Sequence, residues 1–229
     1  MRLYDYAASG NCFKARLLLS LLDQEYERVP VDIFAGETLT PEYAALNPAR
    51  ETPVLELDDG TTLAQSNAIL WFLAEGSPVL PNESVARAQV LSWLIFEQEY
   101  VISGVAAPRF HLMTGRGSER SIAFAQGRGR QALDRLEDHL REREFLVGSF
   151  SIADISVYAY THVASDAGLP LDTYLAVAAW LGRVEAQDRF SNDLVPYPEN
   201  ARAGLSRSIY DEPRNATAGS STVRTGDAE

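Results

Sequence analysis

The sequence is poor in residues that would cross-link the chain or anchor it in a membrane. It contains one cysteine, Cys12, among 229 residues. It therefore cannot form an internal disulfide, and we expect a reducing, cytoplasmic location. No apolar run approaches the roughly 18 residues of a membrane-spanning helix, and the first residues lack the apolar core of a signal peptide. We expect a globular protein without a membrane partner.

Positive charge and metal-ligand patterns are also scarce. The chain has 20 lysine and arginine residues against 32 aspartate and glutamate residues, a formal net charge of -12. Nucleic acids and anionic membrane surfaces are bound by basic patches, so we expect neither as a partner. The three histidines lack the paired spacing of metal ligands, so no metal site is predicted. They are His111, His139 and His162.

The first part of the chain alternates short strands and helices. Residues 2–6 and 26–33 are typical of strands, and an apolar helical pattern lies between them at residues 13–22. Two short strands follow, joined by the turn sequence "DDG", and a helix begins near Ser66. This order predicts a thioredoxin-like unit over residues 1–77.

The rest of the chain is predicted to be helical. A Pro-rich linker precedes it, so residues 84–229 are expected to form a second, all-α domain. Helices are predicted at residues 85–102, 126–144, 151–165 and 175–187. Gly104 and Pro108 are expected to bend or end the first of them. From about residue 196 the polar composition predicts a tail.

The segment "SGNC", between the first strand and the first helix, holds three candidate catalytic residues: Ser9, Asn11 and Cys12. A helix N-terminus stabilises a thiolate and lowers the pKa of a thiol held there. Cys12 is one candidate nucleophile. Alternatively, Ser9 donates a hydrogen bond to the thiolate of a bound thiol substrate. A third interpretation treats these residues as ordinary turn, cap and core residues.

Three further motifs precede a strand or a helix. A cis bond before Pro53 would let the backbone of Thr52 pair with an extended, peptide-like ligand, although a plain strand start fits the same residues. Ser66 is either a simple helix cap or, with Gln65, a site for a ligand carboxylate and amino group. Ser151 and Asp154 have capping-box spacing, which we interpret as structural.

Taken in order, these motifs resemble a cytosolic glutathione S-transferase with the serine/asparagine-type active site of bacterial members. The resemblance covers residues 2–190 and rests on "SGNCFKARLLL", "LNP", "TPVLE", "QSNAILWFLAE", "WLIFEQEY" and "FSIADISVYAYTH". It implies an α/β thioredoxin-like N-terminal domain followed by an all-α C-terminal domain. It also implies glutathione as co-substrate, a small electrophile as the second substrate, a role in detoxification and a two-fold homodimer.

The resemblance also implies roles for individual residues. Thr52, before the cis-proline Pro53, would pair with the cysteinyl part of glutathione, and Gln65 with Ser66 would bind its γ-glutamyl group. The catalytic residue differs between classes, and counting back from the basic residue of "FKARL" favours Ser9, with Asn11 assisting and Cys12 third. Tyr4 and Tyr6 fall in the predicted strand and are less well placed.

One position departs from the family pattern. Glu51 occupies the place of a basic residue that often meets the glycyl carboxylate, so Arg50 or Thr38 is expected to substitute. The electrophile pocket is predicted to involve Phe96, Tyr100, Arg109, Phe110 and Met113.

Three functions remain open at this point. The first is a glutathione transferase that activates the thiol for attack on a small electrophile. The second is a glutathione-dependent disulfide reductase or peroxidase at the same site, with Cys12 as a possible nucleophile. The third is a non-enzymatic binding protein, because a fold does not determine a function.

Overall fold

The computed structural model describes residues 1–211. Its four strands are β1 (Arg2–Asp5), β2 (Glu27–Pro30), β3 (Val54–Glu56) and β4 (Thr62–Ala64), arranged in the order β2-β1-β3-β4. β1 and β2 are parallel and the other pairs are antiparallel. Pro30 ends the edge strand β2, where its missing N–H disturbs no ladder.

Three helices accompany the sheet: α1 (Gly10–Leu21), α2 (Pro41–Leu46) and α3 (Ser66–Leu73). α1 is the crossover that a parallel β1–β2 pair requires. A two-strand hairpin, β3 and β4, then leads into α3. The predicted thioredoxin-like arrangement is confirmed. We call the elements from β1 to α3 the sheet region.

The helices after the sheet region are α4 (Ser84–Phe96), α5 (Ala107–Thr114), α6 (Glu119–Leu140), α7 (Ile152–Thr161) and α8 (Leu175–Glu185). α6 begins seven residues before the predicted start, because the Ser118 hydroxyl caps it by accepting the N–H of Ser121 at 3.2 Å. We call these elements the helical region. No helix among residues 1–211 is both long and apolar enough to cross a membrane.

A π-helical segment, Glu97–Ala106, joins α4 to α5, so of the two predicted alternatives near Gly104 and Pro108, a bend or an end of the helix, the end is wrong. Pro108 lies in the first turn of α5, where a missing N–H is tolerated. Gly104 is needed for packing: a Cβ there would lie 2.4 Å from the backbone nitrogen of Gly129 on α6. The two helices therefore touch backbone to backbone.

α7 is the centre of the helical region, and every one of its residues is buried. The predicted capping box is present at its start. The Ser151 N–H donates to Asp154 Oδ2 at 3.0 Å, and Asp154 Oδ1 accepts the Trp180 indole N–H at 2.9 Å. One hydrophobic cluster runs from Leu3 on β1 to Val184 on α8. The domain boundary between residues 77 and 84 stays a prediction.

The segment after residue 195 is not a detached tail as far as the structure describes it. Ala201 is fully buried. The Arg207 N–H donates to the Phe34 carbonyl at 2.8 Å, and the Ala203 N–H donates to the Thr114 carbonyl at 2.9 Å. Although this segment is mostly polar, it contains aromatic residues that pack on the body of the protein, and Tyr197 and Tyr210 both contact Phe110. Residues 212–229, the rest of the predicted tail, lie outside the described residues.

Candidate active site

A cavity of about 610 Å³ lies between the sheet region and the helical region. All the predicted catalytic and glutathione-binding residues except Cys12 line it. Ser9 and Asn11 come from the start of α1, and the remaining members are Thr38, Arg50, Thr52, Pro53, Gln65 and Ser66. We call these eight residues the sheet wall. The structure thus brings together residues that are up to 57 positions apart in the sequence.

Ser9 is the N-cap of α1. Its backbone is extended, with φ -84° and ψ 121°, and its Oγ accepts the N–H of Cys12 at 3.3 Å. A hydroxyl that accepts from the helix still has its own proton to donate. Ser9 therefore presents a hydrogen-bond donor at a helix N-terminus, where negative charge is stabilised.

Asn11 is the second residue of α1 and is held in place by a contact from α7. Its backbone N–H donates to the Tyr160 hydroxyl of α7 at 3.2 Å. The preceding residue has to be glycine, because a Cβ on Gly10 would lie 2.6 Å from the Tyr160 ring. The start of α1 consequently lies directly against α7.

The loops before β3 and α3 complete the sheet wall. The Thr52–Pro53 peptide bond is cis. Gln65, with φ 71°, precedes α3, and Ser66 is the first helical residue rather than the predicted cap. Gln65, with its positive φ, is the N-cap, so α3 begins one residue earlier than it would with a Ser66 cap. The Ser66 N–H is therefore among the first donors of α3, which have no partner within the helix.

Cys12, the third catalytic candidate, is not among the residues that line the cavity. It is fully buried, and its Sγ accepts the Tyr6 N–H at 3.3 Å. Burial raises the pKa of its thiol to about 11. The thiol therefore stays protonated near neutral pH, and both its burial and its raised pKa disfavour a nucleophilic role.

The opposite side of the cavity, which we call the helical wall, differs from the prediction. Its main residues are Gln98, Ile102, Phe110, Tyr160, Tyr197 and Tyr210. Of the five residues predicted for an electrophile pocket, only Phe110 lines the cavity. Four aromatic rings dominate this wall, and the Phe110 and Tyr210 ring centroids are 4.8 Å apart.

The other four predicted pocket residues are placed elsewhere by helical phase. Gln98 and Ile102 of the π-helical segment line the cavity, whereas Phe96 and Tyr100 do not. Those two rings contact each other at a tilted angle, with 5.2 Å between their centroids. Arg109 is buried and pairs with Asp166 at 3.1 Å. Met113 also lies outside the cavity lining.

Sequence reasoning missed the three tyrosines of the helical wall. Tyr160 was covered by the prediction of a buried helix, and Tyr197 and Tyr210 lie in the predicted tail. The aromatic residues within that polar segment were the available signal. Among residues 1–211, no group of three or more His, Cys, Asp or Glu side chains is placed to hold a metal ion.

Comparison with known proteins identifies the family. The family model described as "Glutathione S-transferase, N-terminal domain" matches residues 8–75. A maleylacetoacetate isomerase of Rhizobium meliloti is 35% identical over 147 residues, which are 60% of this chain and 68% of that protein. Glutathione S-transferase 2 of Saccharomyces cerevisiae is 29% identical over 201 residues, 81% of this chain and 85% of the relative.

Solved structures agree with these relatives. The glutathione S-transferase from Pseudomonas fluorescens has 45% sequence identity and a TM-score of 0.81, covering 85% of this chain and 98% of its own. A maleylacetoacetate isomerase from Methylobacterium extorquens with bound malonate and GSH has 30% identity and a TM-score of 0.71, covering 82% and 94%. The chain belongs to the glutathione S-transferase family.

Proposed function

We propose that the protein is a glutathione transferase in which Ser9 activates the thiol. Glutathione binds along the sheet wall, and its thiolate attacks a small electrophile held at the helical wall. The observation that carries this proposal is the hydrogen bonding of the Ser9 hydroxyl. Its oxygen accepts from the start of α1, so its proton is available to a thiolate in the cavity that it lines.

The stabilisation of the glutathione thiolate that this mechanism requires is modest. One pKa unit corresponds to about 1.4 kcal/mol, so lowering a thiol pKa by two units requires about 3 kcal/mol. A hydrogen bond to a charged group contributes about 1.5–3 kcal/mol, and a helix N-terminus adds a few tenths to about 1 kcal/mol. The thiolate then forms a bond to the electrophilic carbon, and the leaving group departs with its electron pair.

The helical wall favours a planar, largely apolar electrophile. Phe110 lies 5.9 Å from Tyr197 and 4.8 Å from Tyr210 between ring centroids, and such aromatic surfaces bind flat apolar groups. Conjugation of small electrophiles to glutathione is the chemistry that combines this wall with the polar sheet wall.

The test compares the wild type with Ser9→Ala in conjugation of a chromogenic aromatic electrophile. We expect Ser9→Ala to lower kcat/KM by about 10²-fold, the usual effect of losing one donor to a developing or stabilised anion. Glutathione affinity, measured by calorimetry, should change little. Unchanged activity in Ser9→Ala would remove Ser9 from the mechanism, and a wild type without glutathione affinity would exclude the function.

A second candidate is a glutathione-dependent isomerase, favoured by the names of several relatives, including the one from Rhizobium meliloti. A thiolate that adds to a conjugated double bond and then leaves again allows rotation about that bond. Such a reaction consumes no thiol, whereas conjugation consumes one thiol per turnover. Titrating the remaining thiol while a cis-configured unsaturated diacid is converted separates the two activities.

Of the other predicted functions, the reductase or peroxidase with Cys12 as nucleophile is the less supported, because that thiol is fully buried. A cytoplasmic location and a homodimer are proposed on the family resemblance. The large apolar residues Phe72, Leu91 and Ile95 are exposed, which fits a dimer contact. Light scattering of the purified protein measures its mass, and a monomer would contradict the homodimer.

A further inference from the structure

Lys14, the only lysine of the chain, is fully buried beneath the sheet wall. Its Nζ lies 2.8 Å from Oε1 of Glu97, and both side chains have no exposed surface. Lys14 belongs to α1 and Glu97 to the first turn of the π-helix. The ion pair therefore connects the sheet region to the helical region directly behind the cavity.

The ammonium group has a partner for each of its three protons. Besides Glu97, it donates to Oδ1 of Asn11 at 3.0 Å and to Oγ of Ser66 at 3.3 Å. Oε2 of Glu97 in turn accepts from the amides of Asn67 at 3.0 Å and Gln98 at 3.1 Å. Three of these partners, Asn11, Ser66 and Gln98, line the cavity.

The charge determines which way the Asn11 amide points. The oxygen and nitrogen of an asparagine amide are hard to distinguish, and their orientation is normally inferred from neighbours. A lysine ammonium only donates, so Asn11 has to turn Oδ1 towards it. The Ser66 hydroxyl, 3.3 Å from the same Oδ1, supports that orientation. The Nδ2 group, with its two donors, is then left for the cavity.

We propose that Lys14, paired with Glu97, is a positioning residue that holds Asn11 with its amide N–H donors towards the thiolate of the bound thiol. The proposal rests on the proposed function and deepens it. Neither Lys14 nor Glu97 is among the residues that line the cavity. Asn11 and Ser9 together supply the donors that stabilise the thiolate, and Lys14 sets the direction of the first.

Stability alone is a poor explanation for this ion pair. Burying two charges has a large desolvation cost, and apolar residues of similar volume often replace such pairs without loss of stability. Burial lowers the pKa of the Lys14 ammonium, and the Glu97 carboxylate opposes that shift. Apolar residues in these two positions would lack the hydrogen-bond donor that determines the orientation of the Asn11 amide.

The experiment measures the pKa of the glutathione thiol when bound, from the ultraviolet absorbance of its thiolate as a function of pH. Three backgrounds are compared, the first of which is the wild type. Glu97→Gln leaves the Lys14 amine able to donate to Asn11, and Lys14→Met/Glu97→Leu removes both charges together. Each background is made with and without Asn11→Ala.

We expect Asn11→Ala to raise the bound-thiol pKa by about one unit in the wild type and in Glu97→Gln, a tenfold loss of thiolate. Lys14→Met/Glu97→Leu should already show that raised pKa, and adding Asn11→Ala should change it no further. An equal effect of Asn11→Ala in every background would overturn the proposal, because independent residues give additive effects.

Two measures keep the test decisive. If Lys14→Met/Glu97→Leu does not fold, Lys14→Gln/Glu97→Gln replaces it, since two amides can hydrogen-bond to each other without dictating the orientation of Asn11. Crystal structures of the ligand-free variant and wild type provide a readout without glutathione: we expect Asn11 to leave its wild-type rotamer. An unmoved Asn11 would overturn the positioning role even if glutathione binds, and absent glutathione binding would overturn only the proposed function.

Discussion

The two walls of the cavity are built in different ways. In the sheet wall, each residue occupies a turn, a helix start or a loop whose backbone conformation is set within a few residues, as with Ser9 capping α1. In the helical wall, Phe110, Tyr160 and Tyr210 come from a short helix, a buried helix and the C-terminal segment. They meet only because those elements pack together.

The difference suggests how specificity is divided. Hydrogen-bond donors and acceptors with set directions suit one defined ligand, such as a tripeptide. Aromatic surfaces from separate elements tolerate changes in shape, because stacking depends on area more than on direction. We expect substitutions in the sheet wall to act on the thiol, and substitutions in the helical wall to act on the electrophile.

The largest effect is expected from the charge in the sheet wall. Arg50→Gln removes the cation proposed to meet a glutathione carboxylate. A hydrogen bond to a charged group contributes about 1.5–3 kcal/mol, so the Kd of glutathione should rise about 10- to 150-fold.

The neighbouring residue is the matched control. Glu51 carries the opposite charge in the same cavity, so Glu51→Gln should lower the Kd of glutathione. Calorimetry measures both values. Weaker binding in both variants would contradict the charge argument, as would an altered KM for the electrophile in Arg50→Gln.

A smaller effect is expected in the helical wall. Phe110→Ala removes a ring from the cavity surface, and about 1–2 kcal/mol of apolar contact corresponds to a rise of roughly 5- to 30-fold in the KM of an aromatic electrophile. Steady-state kinetics measure this value, and the Kd of glutathione should stay the same. Met113→Ala, in the same helix but outside the cavity lining, should leave both constants unchanged. Equal effects in the two variants would show that α5 acts through stability and not through contact.

Weakening the attachment of the C-terminal segment is expected to change the KM of the electrophile less than Phe110→Ala does. Arg116 donates to Asp211 at 2.8 Å and lies over the rings of Phe34 and Phe110, at 5.4 and 5.5 Å. In Arg116→Met, the segment that supplies Tyr197 and Tyr210 loses this anchor. We expect about a threefold rise in electrophile KM, since cation–π contacts contribute about 0.5–2 kcal/mol.

Limited proteolysis provides a second measurement of the same change. Cleavage within residues 196–211 should be faster in Arg116→Met than in the wild type. Arg141→Met, which removes a pair exposed on the surface of the helical region, is the control and should be cut at the wild-type rate. Equal cleavage of all three proteins would show that Arg116 does not anchor the segment.

The smallest effect on activity is expected from Cys12, which belongs to neither wall. Cys12→Ala should retain conjugating activity. The buried Cys12 thiol instead makes stability depend on pH, because burial raises the pKa of this thiol in the folded state from about 9 to about 11. The folded protein therefore binds more protons than the unfolded chain in that window, and stability falls as pH rises through it.

Melting temperatures recorded between about pH 8 and 11 check this sign. The wild type should lose stability more steeply across the window than Cys12→Ala, which lacks the thiol. A steeper loss in the variant would contradict the assignment. A large drop in activity of Cys12→Ala would return the cysteine to the mechanism.

The sequence by itself determined the features that depend on neighbouring residues. The order of strands and helices, the Ser9 position at a helix start and the Ser151–Asp154 capping box each involve contacts across a few positions. Backbone propensities and short hydrogen bonds act over that range, so motifs record them. The sheet wall follows, because its residues sit at those local features.

Tertiary structure alone decided the rest. It set which face of α5 meets the cavity, placed Lys14 against Glu97 across 83 positions, buried Cys12 and folded residues 196–211 over the site. These outcomes depend on how complete elements pack, on helical phase through a π-helical segment, and on burial of aromatic residues in a polar stretch. A linear pattern carries no record of such distant contacts, since many packings share the same local propensities.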